Sequence, residues 1–225
     1  FYSRYVDDII LVSSGEEDKK RFLQYLRNSL PEGLTLNSTK KEVTPRVSPL
    51  VIVKNTNPKK IILSFEYLGY KFTVSDPYKK FDTNFRIVDV DIATTKANKY
   101  KKRISRAFYD FAKTNDWNLL KDRIKFLTGN FQVFNPHINK TKLAGIFYNY
   151  PEVQNDAKNL KELDHYLRRI VLAKHGRLAI LLRPLLTSKM KRELLINSFI
   201  KGHSDKKFIH FSQSRISQIK KCWKY

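Results

Sequence analysis

The sequence has a single cysteine, few acidic residues and no long apolar run. One Cys excludes an internal disulfide, and the five His show no Cys/His spacing typical of a zinc site. No apolar segment approaches the ~20 residues that span a bilayer. The N-terminal residues show no signal-peptide pattern. These absences favour a protein of a reducing cytoplasm that does not insert into a membrane.

The shortage of acidic residues leaves a large positive charge. Lys and Arg together number 44, Asp and Glu number 21, and the formal net charge is +23. The basic residues extend along most of the chain, so nucleic acid is the leading partner and an anionic membrane surface is second. The 15 Phe and 12 Tyr could stack on bases or sugars. Most of them are nevertheless expected in a hydrophobic core.

The segment Tyr5-Val6-Asp7-Asp8 carries the clearest chemical signal. Apolar and aromatic residues flank it on both sides, which predicts a strand, a tight turn and a second strand, with the acids near the tip. Two adjacent carboxylates repel each other, so a fold that holds them together usually has a cation there. Mg²⁺, which prefers oxygen ligands, is the expected ion. The alternative is an ordinary Asp-containing turn.

The periodicity of the chain predicts an α+β fold with a boundary near residues 88–95. Before it we expect a helix over 16–29, a short strand over 34–37 and strands over 61–74 that are separated by a turn at Gly69. After it, 3.6-residue patterns predict an all-helical part. The predicted helices cover residues 94–113, 116–134, 157–174, 188–200 and 212–224.

Three motifs in this order resemble the C-terminal half of a bacterial reverse transcriptase. Tyr5-Val6-Asp7-Asp8 resembles the catalytic YxDD box, Leu34 to Lys40 resembles the next palm motif, and Tyr67-Leu68-Gly69-Tyr70 resembles the primer-grip hairpin. The resemblance implies that residues 1–91 are part of a palm of antiparallel strands with a helix, and that residues 92–225 are an all-helical thumb. Abortive-infection and defence-associated enzymes are the most similar in character, with retron and group II intron types as relatives.

The resemblance also implies the chemistry, which is nucleotidyl transfer to a primer 3′-hydroxyl. Two Mg²⁺ ions, or Mn²⁺, would clamp the attacking and leaving oxygens. Asp7 is the expected direct ligand and Asp8 a second or supporting ligand. Lys40 would protonate or neutralise the pyrophosphate leaving group, although a solvated surface Lys is the alternative there.

The same resemblance implies the nucleic-acid contacts. An RNA template, a DNA primer and product, and dNTPs would be the partners. Tyr5 would touch the primer terminus, and the alternative is that it is a core residue. For the primer-grip hairpin, the alternative is a plain hairpin without a binding role. A solvated helix face is the alternative for the basic residues, whose natural partner is the phosphates of a duplex. The expected contacts are Tyr67, Leu68, Gly69 and Tyr70 in the grip, and Lys99, Lys101, Lys102, Arg103 and Arg106 on one helix.

The first residue, Phe1, falls inside a strand pattern, and no earlier palm Asp precedes it. We therefore expect this chain to be the C-terminal part of a longer polymerase, or one half of a split one, and not to polymerise alone. Its expected setting is antiviral defence in the bacterial cytoplasm. The alternatives are a non-catalytic reverse-transcriptase-like binding subunit, a group II intron or retron type of enzyme, and an unrelated basic RNA-binding protein.

Overall fold

The computed structural model describes residues 2–6, 8–12, 17–36, 61–76, 86–135 and 139–224. These contain both helices and strands, so the predicted α+β class is confirmed. The strands are β1 Tyr2–Tyr5, β2 Asp8–Leu11, β3 Ile61–Tyr67, β4 Tyr70–Ser75, β5 Ile87–Ile92, β6 Asn130–Asn135, β7 Lys140–Gly145 and β8 Phe208–His210. The helices are α1 Lys19–Asn28, α2 Thr94–Thr114, α3 Trp117–Thr128, α4 Ile146–Asn149, α5 Lys158–Leu172, α6 Arg177–Leu182, α7 Ser188–Leu195, α8 Phe199–Asp205 and α9 Gln213–Lys221.

The chain divides into two compact units. Unit 1 comprises Phe1–Leu68 and Phe72–Asp89, and unit 2 comprises Gly69–Lys71 and Val90–Tyr225. In the described residues, β1 and β2 form a two-stranded sheet, β3, β4 and β5 form a second sheet in that order, and the third has the order β7-β6-β8. The assignment of these parts to a palm and a thumb stays a prediction.

Local side-chain capping sets where several helices begin. Helices α1, α3, α7, α8 and α9 each start after a residue whose side-chain oxygen accepts the N–H three residues later. Such a bond satisfies one of the helix's otherwise unpaired N–H groups. Because only a few residue types can supply it, these starts are specified locally. The capping residues are Asp18, Asp116, Thr187, Ser198 and Ser212.

The hydrophobic core of unit 2 is built around α2, α3 and α5. Helix α2 contributes fully buried Ile104, Phe108 and Phe111, at the 3- and 4-residue spacing of one helix face. Those residues pack with side chains of α3 and α5, including Leu120 and Leu163. Every buried hydrophobic side chain in the described part of the chain lies between Ile92 and Ile219.

The prediction that residues 92–225 are all helical is wrong. The helix expected over 116–134 ends at Thr128, and β6 follows it. Strand β6 pairs antiparallel with β7 and parallel with β8, which lies far along the chain. Phe131 continues the helical spacing in the sequence, but it instead stacks on Phe126 at 4.0 Å in a second small core with Phe211. That tertiary packing outweighs the local periodicity.

The structure also bears on the strand predicted over 34–37 and on membrane-spanning segments. Residues Leu34–Leu36 form no strand, so the short strand predicted over 34–37 is wrong where the structure describes it. An apolar alternation becomes a strand only when a neighbouring strand supplies hydrogen-bond partners, and no strand among the described residues pairs with this segment. Among the helices with described residues, none combines the length and apolarity needed to cross a bilayer.

Candidate nucleic-acid interface

The first hairpin, formed by β1 and β2, has the predicted form of two strands and a tight turn. Tyr5 is paired with Asp8, so the two strands are joined by a two-residue connection that begins with Val6. Val6 has φ of 55°, and its carbonyl accepts a 2.8 Å hydrogen bond from Nε of Arg4. A positive φ suits the mirror-image turns that join tight hairpins. For a β-branched residue it is nevertheless strained.

The acidic pair of this hairpin is described only in part. Asp8 is half-buried at the start of β2, and Tyr5 beside it is 63% exposed. Asp7 and Lys40 lie outside the described residues. In the ranges that are described, no three His, Cys, Asp or Glu side chains form a group that could hold a metal ion. The carboxylate of Asp8 is a ligand of the type that Mg²⁺ prefers. Because its expected partner Asp7 is not described, the magnesium site stays a prediction.

The second hairpin, β3 and β4, turns at Leu68 and Gly69 as predicted. Both residues have positive φ, 51° and 85°, which is the pattern of a type I′ turn. Leu68 is 41% exposed, whereas Gly69 and Tyr70 are half-buried. The hydroxyl of Tyr67 is buried and has no hydrogen-bond partner in the described structure. The exposed Leu68 is therefore the grip residue most accessible to a ligand.

Gly69 and Tyr70 belong to unit 2, where they pack at the start of α2. The carbonyl of Gly69 accepts a 2.8 Å hydrogen bond from the N–H of Ala93, just before that helix. A Cβ at Gly69 would lie 3.3 Å from Cε of Lys96, so a larger residue would press on that side chain. The ring of Tyr70 meets Tyr150 edge to face at 5.8 Å. Burial raises the pKa of the Tyr70 hydroxyl.

The structure sorts the five predicted basic residues of α2 onto different faces. Lys99, Lys102 and Arg106 are exposed, and their spacing of three and four residues aligns them on one face. Lys101 points elsewhere and forms a 3.1 Å ion pair with Glu162 of α5. Arg103 is half-buried, with its guanidinium 5.6 Å from the ring centre of Trp223.

Sequence reasoning missed the continuation of that exposed face toward the end of α2. Tyr109 is 39% exposed and Lys113 is exposed, and both follow Arg106 at helical spacing. Extension of the same spacing through the whole predicted helix would have found them. We call the exposed cations Lys99, Lys102, Arg106 and Lys113 the basic stripe. Exposed cations in a row on one helix face can each meet a phosphate of a nucleic-acid backbone.

The end of α9 adds further positive charge beside α2. Nε1 of Trp223 donates a 3.0 Å hydrogen bond to the carbonyl of Arg103, which holds the chain after α9 against the middle of α2. Lys220, Lys221 and Lys224 on either side of that Trp are exposed. These lysines lie beside α2 because of tertiary packing. The sequence shows that the C-terminal segment is basic, but it does not show this proximity.

A buried arginine fixes this arrangement of helices. Arg123 of α3 is 2% exposed, and its guanidinium bonds the carboxylate of Asp110 on α2 and the carbonyl of Ile219 on α9. The fixed fork of an Arg suits such simultaneous contacts. Because a buried charge is costly unless it is paired, α2, α3 and α9 are tied into one rigid support for the basic stripe.

No protein-family model, curated protein or solved structure matches this chain.

Proposed function

We propose that this chain is part of an RNA-directed DNA polymerase. In this proposal the first hairpin contributes metal-binding carboxylates, the second hairpin positions the primer, and the basic stripe holds the template–primer duplex. The partners are an RNA template, a DNA primer and dNTPs. A role in bacterial antiviral defence comes from the sequence resemblance alone.

The conformation of Val6 is the observation that carries the proposal. A β-branched residue at φ of 55° is unfavourable by an amount on the order of 1–3 kcal/mol. Backbone strain of this kind is concentrated at functional sites, where it fixes a required geometry. Here the strained residue directly precedes Asp7 and Asp8. In this proposal the two-residue turn would bring both carboxylates to the tip of the hairpin, since along a regular strand adjacent side chains point to opposite faces.

Each residue has a distinct role in the proposed reaction. Asp7 and Asp8 would bind the metal ions through carboxylate oxygens. Magnesium would supply Lewis-acid stabilisation of the charge that develops on the transferred phosphate. Lys40 would donate a proton to the leaving pyrophosphate. The exposed ring of Tyr5, which is paired with Asp8 across the hairpin, would contact the sugar of the primer terminus.

The second hairpin and the thumb segment would hold the primer and the duplex. Leu68 and the backbone at Gly69 would contact the primer strand, since Tyr67 and Tyr70 are the less accessible residues of this turn. The basic stripe would contact phosphates, which position a duplex without reading its sequence. A separate Asp from an earlier palm strand would complete the metal site.

A primer-extension assay tests the proposal. It uses the longest polypeptide that the gene encodes, an RNA template, a DNA primer, dNTPs and Mg²⁺ or Mn²⁺. We expect extension by the natural protein, and loss of extension in Asp7→Asn while binding of the template–primer duplex persists. Asp18→Asn is the matched control, because it removes the same charge and Asn caps a helix as well as Asp does. Full extension by Asp7→Asn would refute the metal-site assignment.

A second candidate function is a non-catalytic nucleic-acid-binding subunit. The basic stripe favours it, because those cations are exposed independently of the acidic pair. Duplex binding by the natural protein, with no extension in either metal, would support this alternative.

A further inference from the structure

A groove of about 500 Å³ lies between α2 and α5, on a different face of α2 from the basic stripe. Lys101 on this groove is rotated about 100° around the helix from Lys102 on the stripe. The groove is open to solvent along α5, and its size is in the range of small-ligand sites. Its lining includes Lys101, Glu162, His165, Tyr166, Arg168 and Arg169.

The charge in this groove is positive. Lys101, Arg168 and Arg169 carry positive charges, and Glu162 is the one carboxylate among the described residues that line the groove. Glu162 is already paired with Lys101 at 3.1 Å. The two arginines are exposed. Their charges therefore remain uncompensated within the lining, and the groove would attract an anion.

A flat, fixed aromatic surface adjoins these cations. The hydroxyl of Tyr166 is hydrogen-bonded to the hydroxyl of Ser105 on α2 at 2.7 Å, which holds the ring in one orientation. The guanidinium of Arg169 lies 5.2 Å from the centre of that ring, within the range of a cation–π contact. Aromatic rings and stacked guanidinium planes are the surfaces on which unpaired bases stack.

We propose that the α2–α5 groove binds a single-stranded segment of nucleic acid. Arg168 contacts its phosphates, and a base stacks on Arg169 and Tyr166. A duplex does not fit this role, because its bases are stacked inside the helix and expose only their edges. A lipid surface or an acidic peptide would use the cations but not the cation–π pair of Arg169 and Tyr166. The proposal does not depend on polymerase activity.

Fluorescence anisotropy with the full 225-residue chain tests this inference. The probes are labelled 12-nucleotide oligo(U) and oligo(dT), and a labelled 20-base-pair duplex. The test variant is Arg168→Gln/Arg169→Gln. The matched control is Arg177→Gln/Arg192→Gln, which removes the same charge from exposed positions of α6 and α7 that do not line the groove. Thermal unfolding of each variant checks that the fold is retained.

We expect the groove variant to lose at least about tenfold in single-strand affinity, since one stacked base and its phosphate contact are worth that much or more. Its duplex affinity should fall less than about threefold. The control variant should lower the affinity for both probes by the same factor, and this factor should be smaller than the single-strand loss in the groove variant. Arg169→Lys keeps the charge but not the planar group, so it should also weaken single-strand binding.

Three results would overturn the proposal. The first is equal loss of single-strand affinity in the groove and control variants, which would indicate diffuse electrostatics. The second is equal loss for single strand and duplex in the groove variant. The third concerns the affinity of the groove variant for anionic phosphatidylserine vesicles or polyglutamate. If that affinity falls as much as the single-strand affinity does, the groove is a general polyanion site.

Discussion

Removal of three of the four charges of the basic stripe should lower the salt dependence of duplex binding by a calculable amount. In the triple variant Lys99→Gln/Lys102→Gln/Arg106→Gln, three exposed cations of one helix face are lost. Each phosphate contact on duplex DNA releases counterions and contributes about 0.9 to the slope of log affinity against log salt. If each cation meets one phosphate, the slope should fall in magnitude by about 2.7. Anisotropy titrations of a 20-base-pair duplex between 50 and 200 mM salt, a range chosen because this term is large there, measure it.

A pair of neighbouring single variants provides the sharpest control. Lys101→Gln and Lys102→Gln remove the same charge from adjacent positions of α2. Lys102 is on the stripe, whereas Lys101 faces Glu162. We expect Lys102→Gln to reduce the slope by about 0.9 and Lys101→Gln to leave it nearly unchanged. Equal reductions in both variants would refute the assignment of duplex contacts to one helix face.

Two predictions concern the stability of unit 2. A Cβ at Gly202 would lie 1.9 Å from the carbonyl oxygen of the last residue of α3, so Gly202→Ala should destabilise the protein by about 3 kcal/mol in urea unfolding. The exposed neighbour control Lys201→Ala should change it by less than about 0.5 kcal/mol, and equal effects would contradict the packing. Burial raises the pKa of Tyr70, Tyr100 and Tyr150, so these hydroxyls ionise first in the unfolded chain. Stability should therefore be complete below pH ~10 and fall as the pH rises above it. In Tyr100→Phe the free energy of unfolding should fall less steeply between about pH 9 and 11. An unchanged pH dependence in that variant would contradict the role of the buried Tyr100 hydroxyl.

The parts of the fold that were predictable from sequence are those with a local physical signal. The turn at Leu68-Gly69 was predictable because glycine tolerates the positive φ that a two-residue hairpin requires. The helix predicted over 94–113 is observed at Thr94–Thr114, because its core-facing residues repeat at helical spacing. The hairpin around Val6 was predictable for the same kind of reason, since its apolar flanks and central acids mark strands and a turn.

The failures involve contacts between distant parts of the chain. Residues 130–135 carry a helical periodicity, and their strand conformation depends on pairing with Lys140–Gly145 and with Phe208–His210. The second partner lies beyond five intervening helices of the described chain, so no local pattern indicates it. The interpretation of Leu34–Leu36 as a strand failed for the opposite reason: a suitable pattern was present, but no strand in the described ranges pairs with those residues.

The sequence by itself determined the positive charge of the protein, the two hairpin turns and the main helices. These depend on composition and on interactions within a few residues. Only the tertiary structure decided which charges act together. Lys101 and Lys102 are adjacent residues of the same type. The packing of α5 against α2 nevertheless gives Lys101 a partner in Glu162 and leaves Lys102 exposed to solvent. The α2–α5 groove has the same origin, because its cations come from helices that meet only in the folded chain.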